Sequence, residues 1–240
     1  MNPSAPTLTT RARLRRVPGA LVVSALDAAL LALALGGPRA LLREGRALAL
    51  VALWTATSLL LAWIRPPRAH DAERAPESPA VLLALVGLPL LTPALSAWTA
   101  RLGVAVIAGG TALRWSGVAL ATLGLALRVA AIAQLGRRFS PRLSIESDHA
   151  LETRGLYAWV RHPGYLGALA ANLGAALAFA SLVGVGLTLL LALAVRARVH
   201  PEERLLASRF GDEFEAYRRR TGALLPRFVA APRPPRATNP

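Results

Sequence analysis

Two polar segments, separated by a long apolar stretch, contain the side chains of this chain that could do chemistry. Residues 155–167 read Gly-Leu-Tyr-Ala-Trp-Val-Arg-His-Pro-Gly-Tyr-Leu-Gly, and residues 198–206 read Arg-Val-His-Pro-Glu-Glu-Arg-Leu-Leu. The first segment brings cationic and aromatic groups together with glycines, and the second brings two adjacent carboxylates. Such residue types are rare in a plain apolar core unless they are paired, so both segments are candidates for ligand binding.

The first segment is typical of a loop that runs into a helix. Pro163 fits the first helical turn, where its missing N–H costs nothing. The free backbone N–H groups just after it, with the helix dipole behind them, would bind an anion such as the carboxylate of an amino-acid-like ligand. The glycines of the segment allow a ligand to come close. An ordinary turn capping a membrane span, with His162 and Tyr165 as interfacial anchors, fits the same residues.

In the second segment, Arg198 and Glu202 share one helix face if the helix continues through Pro201, which would otherwise begin a new interfacial helix. We expect Glu203 to be turned about 100° away from Glu202. A carboxylate on an apolar face needs a partner, either Arg198 or the ribose, amine or sulfonium of a ligand. An interfacial helix with an incidental ion pair is the alternative. Glu202 begins an apolar stripe at helical spacing, formed by Leu206, Phe210, Phe214 and Tyr217.

Other kinds of site find little support in the sequence. The four histidines, His70, His149, His162 and His200, are scattered and the chain has no cysteine, so we expect no metal site. There is no Gly-x-Gly-x-x-Gly motif after a strand. The polar loops are too short for a separate soluble catalytic domain, so any site must lie between membrane helices.

The composition is that of a membrane protein. Charged residues make up 17% of the chain, against about 25% in soluble domains, and the mean hydropathy is +0.45. The net charge of +15 comes from arginines that lie beside apolar blocks, as the positive-inside rule expects, so we predict no nucleic-acid partner.

The apolar blocks predict an all-α, polytopic transmembrane helix bundle of about five or six spans. The last block is too long for one span of about 20 residues, and arginines flank it on both sides. A C-terminal helical hairpin keeps those arginines with the N-terminal ones on the cytoplasmic side, next to a cytoplasmic interfacial helix. Arg39, Arg43 and Arg46 would then lie outside. The blocks run over 17–36, 47–64, 80–97, 111–135 and 165–196, and Pro89 and Pro93 predict a kink in the third.

This organisation divides the chain into a cytoplasmic N-terminal arm (1–16), N-terminal spans (17–110), a catalytic core (111–228) and a disordered tail (229–240). Asp27 and Arg128 fall inside predicted spans. Charge within a membrane is costly and therefore indicates function, although the two side chains would also be explained by pairing with each other or by snorkelling.

Residues 161–167, the hydrophobic hairpin, Glu202-Glu203 with Leu206, and Phe210-Gly211 together resemble the isoprenylcysteine carboxyl methyltransferase family. Phospholipid N-methyltransferases are more distant relatives. The resemblance covers roughly residues 120–228, where Tyr217 and Pro226 also fit the family's ending.

The resemblance implies an S-adenosylmethionine site at His149, Ala150, Leu151, Glu152, Tyr157, His162, Pro163, Gly164, Tyr165 and Glu202. The physical interpretation adds Gly155, Gly167 and Glu203. Arg198 is implied to face the methyl acceptor, with Arg161 close by, and we predict these two as the catalytic residues. Arg142 replaces a cofactor-contacting glutamine of eukaryotic members, and Glu152 replaces an apolar residue.

The predicted function is transfer of a methyl group from S-adenosylmethionine to a lipophilic acceptor drawn from the membrane. An isoprenylcysteine-like carboxylate is already ionised and needs no base, whereas a thiol or amine would need His200 or Tyr165. An NADPH-dependent membrane reductase of the sterol reductase type, or a non-catalytic membrane protein, is the alternative. We expect a monomer in a bacterial inner membrane, in contact with membrane lipids, with its site facing the cytoplasm.

Overall fold

The computed structural model describes residues 14–64, 73–74, 78–136, 144–145 and 150–227. The predicted disordered tail, His149, Arg142 and nearly all of the N-terminal arm lie outside the described residues. Within them the chain is helical apart from one two-residue antiparallel pair, β1 with β2. The elements are α1 (Val17–Leu35), α2 (Pro38–Arg43), α3 (Gly45–Ile64), β1 (Glu73–Arg74), α4 (Pro79–Arg101), α5 (Thr111–Leu135), β2 (Ser144–Ile145), a 3-10 turn (Gly155–Ala158), α6 (Pro163–Ala178), α7 (Leu182–Phe210) and α8 (Asp212–Arg220).

Five helices, α1, α3, α4, α5 and α7, are long and apolar enough to cross a membrane. The protein is an integral membrane protein, and the predicted all-α transmembrane bundle is confirmed. Each predicted apolar block corresponds to one helix except the last, which is divided into α6 and α7 as the hairpin prediction required.

The turn of the hairpin is closed by polar groups. The Ser181 hydroxyl caps α7 by accepting from the Gly184 N–H at 3.2 Å. The turn also pairs with the loop before α5, because the Ile107 N–H donates to the Ala180 carbonyl at 2.7 Å and the Leu182 N–H donates to the Ala105 carbonyl at 2.8 Å. These bonds satisfy backbone groups that would otherwise be exposed within an apolar layer.

Helices α5 and α6 pack backbone against backbone. Gly117 and Gly124 on α5 face Gly174 and Gly167 on α6, with a seven-residue spacing on both helices. A Cβ atom added to Gly124 would come within 2.6 Å of the Gly167 carbonyl oxygen, and one added to Gly174 within 2.6 Å of the Gly117 carbonyl oxygen. Small residues allow membrane helices to approach this closely, which gives dispersion contacts their full strength.

Arginines cap helix ends at the end of the bundle opposite to the polar segments. Arg101, at the end of α4, donates to the Ala34 carbonyl of α1 at 3.3 Å. Arg46 pairs with Glu44 at 2.7 Å and donates to the Ala178 carbonyl of α6 at 3.2 Å. Cations near helix C-termini are favourable. The capping role accounts for Arg46, one of the arginines that the positive-inside rule places on the wrong side.

Prolines do not end the helices in which they lie. Pro89 and Pro93 lie inside the single helix α4, and Pro201 lies inside α7. The alternative of a new helix starting at Pro201 is therefore wrong, and Arg198 and Glu202 lie one turn apart on one helix. The break comes later, at Gly211, whose φ of 50° separates α7 from α8. The apolar stripe from Leu206 to Tyr217 is thus divided between these two helices.

Replacing Gly174 with leucine is expected to lower the stability of the bundle by about 3 kcal/mol, since the side chain must push α5 away. The matched control is Gly186→Leu on α7, because a Cβ atom there meets nothing within 4 Å. Thermal unfolding in detergent measures both variants. Equal melting temperatures for the two variants would show that the α5–α6 contact is not tight.

Candidate active site

A cavity of about 720 Å³ opens between the helices at the end of the bundle that holds both polar segments. This volume is within the range of about 300–1,000 Å³ that is typical of small-molecule sites. Apolar side chains of α1 and α4 form one wall, among them Leu26, Leu85 and Pro89. The polar part of the lining consists of Glu152, Tyr157, Arg161, His162, Tyr165, Arg198, Glu202 and Tyr217, together with Asp27, Arg128 and Asn172 farther along the helices.

Tyr165 links the two polar segments across the hairpin. Its hydroxyl donates to Oε2 of Glu202 at 3.0 Å and accepts from Nε of Arg198 at 3.1 Å. The Arg198 Nε and Glu202 Oε2 atoms are 4.0 Å apart, as the one-turn spacing predicts. Arg198 is only 4% exposed, whereas the Glu202 side chain keeps 32% of its surface open. Glu202 therefore has a free side with which it can accept hydrogen bonds from a ligand.

The N-terminus of α6 offers fewer free backbone N–H groups to an anion than the sequence predicts. The helix begins at Pro163, as expected, with His162 before it. However, the N–H groups of Tyr165 and Leu166 donate to the His162 carbonyl at 3.1 and 3.2 Å. Of the first-turn amides, only the Gly164 N–H has no such backbone acceptor among the described residues.

Arg161 joins the loop before α6 to the C-terminal segment through a cluster that we call the Arg161 clasp, formed by Arg161, Glu203 and Thr221. The Arg161 Nε donates to Oε1 of Glu203 at 2.7 Å, and its Nη1 donates to the Thr221 carbonyl. The same Glu203 oxygen lies 3.2 Å from Nε2 of His162. The Arg161 side chain is 8% exposed and that of Glu203 17%. A buried guanidinium with these partners is a structural anchor as well as part of the cavity wall.

The backbone strengthens the same connection. The Arg161 N–H donates to the Gly222 carbonyl at 2.9 Å, and the His162 N–H donates to the Ala223 carbonyl at 3.0 Å. The segment that follows α8 therefore holds the loop in position just before α6 begins.

Gln134, at the end of α5, holds the loop from the other side. Its Nε2 donates to the Arg154 carbonyl at 2.7 Å, and its Oε1 accepts from the Leu156 N–H at 3.1 Å. Gly155 lies between these two bonds with a φ of 52°, and a Cβ atom there would come within 2.7 Å of Gln134 Oε1. This packing explains the glycine without a ligand.

Two tyrosine hydroxyls are held in the neutral form. Burial, and secondarily the Glu202 carboxylate, raises the pKa of Tyr157, whose hydroxyl donates to the Ala131 carbonyl at 3.3 Å. Burial also raises the pKa of Tyr217 to about 12, and its hydroxyl donates to the Tyr157 carbonyl at 2.6 Å. Neither phenol can accept a proton at neutral pH, so both act as hydrogen-bond donors that order the loop.

The structure brings together most, but not all, of the residues predicted from the sequence. Ala150, Gly155, Pro163, Gly167 and Glu203 do not line the cavity. Gly167 is instead required by the contact with α5, where a Cβ atom would come within 2.7 Å of the Arg128 backbone nitrogen. The residues of the prediction that do line the cavity are Leu151, Glu152, Tyr157, Arg161, His162, Gly164, Tyr165, Arg198 and Glu202.

The predictions outside these segments had mixed outcomes. His200, a candidate base, is exposed, contacts the Arg196 carbonyl at 2.8 Å and lies outside the cavity. Asp27 and Arg128 both line the cavity, but no ion pair between them is found in the described part of the chain. Arg128 donates to the Gly164 carbonyl at 3.0 Å instead.

The sequence interpretation missed Gln134, Asn172 and Thr221. Gln134 lies in the last turn of a span, and Asn172 lies in the middle of an apolar block. A polar residue is costly in either position, and that cost was the signal available in the sequence. Thr221 had no such signal, because it lies in a polar segment.

Residues 117–208 match the model of the isoprenylcysteine carboxyl methyltransferase (ICMT) family. The protein-S-isoprenylcysteine O-methyltransferase of Schizosaccharomyces pombe is 37% identical over 110 residues, which are 43% of this chain and 45% of that protein. The Homo sapiens protein of the same name is 33% identical over 119 residues, 48% of this chain and 42% of that protein. The matched part thus spans less than half the length of these curated relatives.

A solved structure of the eukaryotic intramembrane Ras methyltransferase ICMT has the same fold as this chain. The TM-score is 0.56 at 24% sequence identity, and the match covers 89% of this chain and 75% of that one. The first spans, which the family model does not cover, are therefore part of the shared fold.

Glu203→Gln is expected to lower the free energy of unfolding by about 1.5–3 kcal/mol, because the Arg161 clasp loses its charge-assisted bonds. The control is Glu213→Gln on α8, which removes a carboxylate that is exposed to solvent. Thermal unfolding in detergent at neutral pH compares them. A Glu203→Gln melting temperature equal to that of the control would contradict a structural role for the clasp.

Proposed function

We propose, from the match of residues 117–208 to the model of the isoprenylcysteine carboxyl methyltransferase family, that this protein transfers a methyl group from S-adenosylmethionine to a lipophilic acceptor. The observation that carries the proposal is the contact of Tyr165 with both Glu202 and Arg198. It places an open carboxylate and a buried guanidinium side by side in one cavity, at the end where the two polar segments meet.

The residues present fit S-adenosylmethionine. The open side of Glu202 can accept hydrogen bonds from ribose hydroxyls or from the ammonium group, and the Gly164 N–H at the start of α6 can donate to a carboxylate. Tyr157 and Leu151 supply apolar surface on the same part of the cavity wall. When bound, S-adenosylmethionine supplies an electrophilic methyl carbon on its sulfonium sulfur.

Arg198 is the residue we assign to the methyl acceptor. A carboxylate acceptor is ionised at neutral pH and needs no base, so the task of the protein is to hold it in line and to exclude water. Arg198 supplies charge-assisted donors for that purpose. The apolar wall formed by α1 and α4 would take the lipophilic chain.

The arrangement favours a carboxylate over a thiol or an amine. A thiol or amine must lose a proton, and His200 lies outside the cavity. The Tyr165 hydroxyl already donates to Glu202 and accepts from Arg198. The curated relatives are named protein-S-isoprenylcysteine O-methyltransferases, which also favours oxygen as the accepting atom.

Isothermal titration in detergent is expected to show binding of S-adenosylmethionine and none of NADPH. With an S-farnesyl-N-acetylcysteine acceptor, Arg198→Ala is expected to lower kcat/KM about 100-fold and to weaken S-adenosylmethionine binding much less, since it removes the acceptor's charged partner and, on the cofactor side, the bond to Tyr165.

Arg204→Ala is the matched control, because Arg204 is exposed on the same helix. Arg198→Lys should restore part of the lost rate by returning the charge without the guanidinium geometry. Full activity in Arg198→Ala, or binding of NADPH alone, would overturn the assignment.

We propose that the site end of the bundle faces the cytoplasm of a bacterial inner membrane. The three exposed arginines of α8, Arg218 to Arg220, lie at this end, whereas at the opposite end Arg46 and Arg101 cap helices and Arg39 and Arg43 are exposed. This is the asymmetry that the positive-inside rule describes.

Single-cysteine labelling tests this orientation without background, because the chain has no cysteine. In intact spheroplasts, a membrane-impermeant maleimide is expected to label Arg39→Cys and to leave Arg219→Cys unlabelled until the membrane is permeabilised. The reverse pattern would place the site outside the cell.

A further inference from the structure

Two polar side chains line the cavity far from its charged end. Asn172 lies nine residues beyond Pro163 on α6, and Asp27 lies ten residues beyond Val17 on α1. Both helices start at the site end of the bundle, so at 1.5 Å per residue the two side chains lie about 14–15 Å along the helices from that end. Their neighbours in the cavity wall include Val23, Leu26 and Leu191.

The Asn172 amide has a fixed orientation. The Thr92 hydroxyl donates to the Leu88 carbonyl at 2.8 Å, and the Thr188 hydroxyl donates to the Gly184 carbonyl at 2.9 Å. Both hydroxyl oxygens therefore act as acceptors toward Asn172, whose Nδ2 donates to them at 3.2 and 3.1 Å. This uses both amide hydrogens.

The Asn172 Oδ1 atom is left as an acceptor. It receives no hydrogen bond from any of the residues that the structure describes, although Asn172 is only 4% exposed and borders the cavity. Among the described residues Ser96 Oγ is the buried side-chain atom without a partner, so Asn172 Oδ1 is open to the cavity and can accept from a donor that enters it.

Asp27 presents acceptors to the same space. Over the described ranges it makes neither a hydrogen bond nor an ion pair, and its carboxylate is half-buried on the cavity wall. A carboxylate within an apolar span is costly unless it is paired or protonated, and in either protonation state the carboxyl group keeps an oxygen that accepts a hydrogen bond. Arg128, which contributes a positive charge to the same cavity, disfavours a cationic occupant.

We propose that the methyl acceptor is a hydroxylated lipophile, whose hydroxyl group donates to Asn172 Oδ1 or to Asp27 about 14 Å from the methyl-accepting end. This inference rests on the proposed function and narrows its substrate class. A plain isoprenyl chain would leave both acceptors unpaired, so we expect it to bind more weakly than a hydroxylated chain of the same length.

Acceptor binding measured without the cofactor tests the inference separately from methyl transfer. The probes are N-acetyl-S-alkylcysteines of one chain length, in which a hydroxyl is moved one carbon at a time, with the hydrocarbon parent and the corresponding amines. One hydroxyl position is expected to bind the wild-type protein on the order of tenfold tighter than the parent in detergent calorimetry.

Asp27→Leu and Asn172→Leu should each reduce that preference, while Thr122→Leu should keep it. Thr122 is a matched control, because it is an exposed polar residue of α5 outside the cavity. Asp27 makes no hydrogen bond or ion pair with the residues that the structure describes, so Asp27→Leu still tests the inference if Asn172→Leu does not fold.

Equal affinity for the parent and every hydroxylated probe would overturn the inference, and so would stronger binding of the amines. If the preferred probe binds but is not methylated in the presence of S-adenosylmethionine, the proposed function fails, and what stands is the preference of the cavity for a hydroxylated ligand. If all probes bind equally and are methylated equally well, the substrate inference fails while the proposed function stands.

Discussion

The site depends on the backbone contact between α5 and α6. Because four glycines let these helices touch, Arg128 reaches the Gly164 carbonyl at the start of α6. Gln134, one residue before the end of α5, then meets the loop around Gly155. A bulkier interface would separate α5 from α6 by several ångströms and would break both connections. The small residues in the middle of the bundle thus set the geometry of the polar end.

Two adjacent carboxylates have different tasks because they point in different directions around α7. Glu203 is neutralised by Arg161 and lies beside His162, so it holds the loop to the C-terminal segment. Glu202, one position earlier, borders the cavity and keeps an open side beyond its bond from Tyr165. The pair combines a structural ion pair with a carboxylate that faces the cavity.

The cavity is charged at one end and mostly apolar along the rest, which suits the proposed amphiphilic acceptor that enters from the lipid. Arg198 and Glu202 occupy the end that faces water, while α1 and α4 supply apolar walls along the membrane. In hydrocarbon, every unpaired polar group is costly, so Asn172 and Asp27 are positions at which the cavity wall departs from what a simple alkyl chain requires.

The sequence by itself determined the membrane class, the helical hairpin and the two chemical segments, because apolar length, arginine placement and residue type are local properties. The hairpin follows from an apolar block too long for one span, and the shared face of Arg198 and Glu202 follows from helical spacing. Only the tertiary structure decided that Glu203 holds Arg161, that Gly167 serves packing, and that Gln134 and Asn172 belong to the site. Those assignments depend on contacts between helices that are distant in sequence. The periodicity of each helix by itself does not determine which faces of two helices will meet.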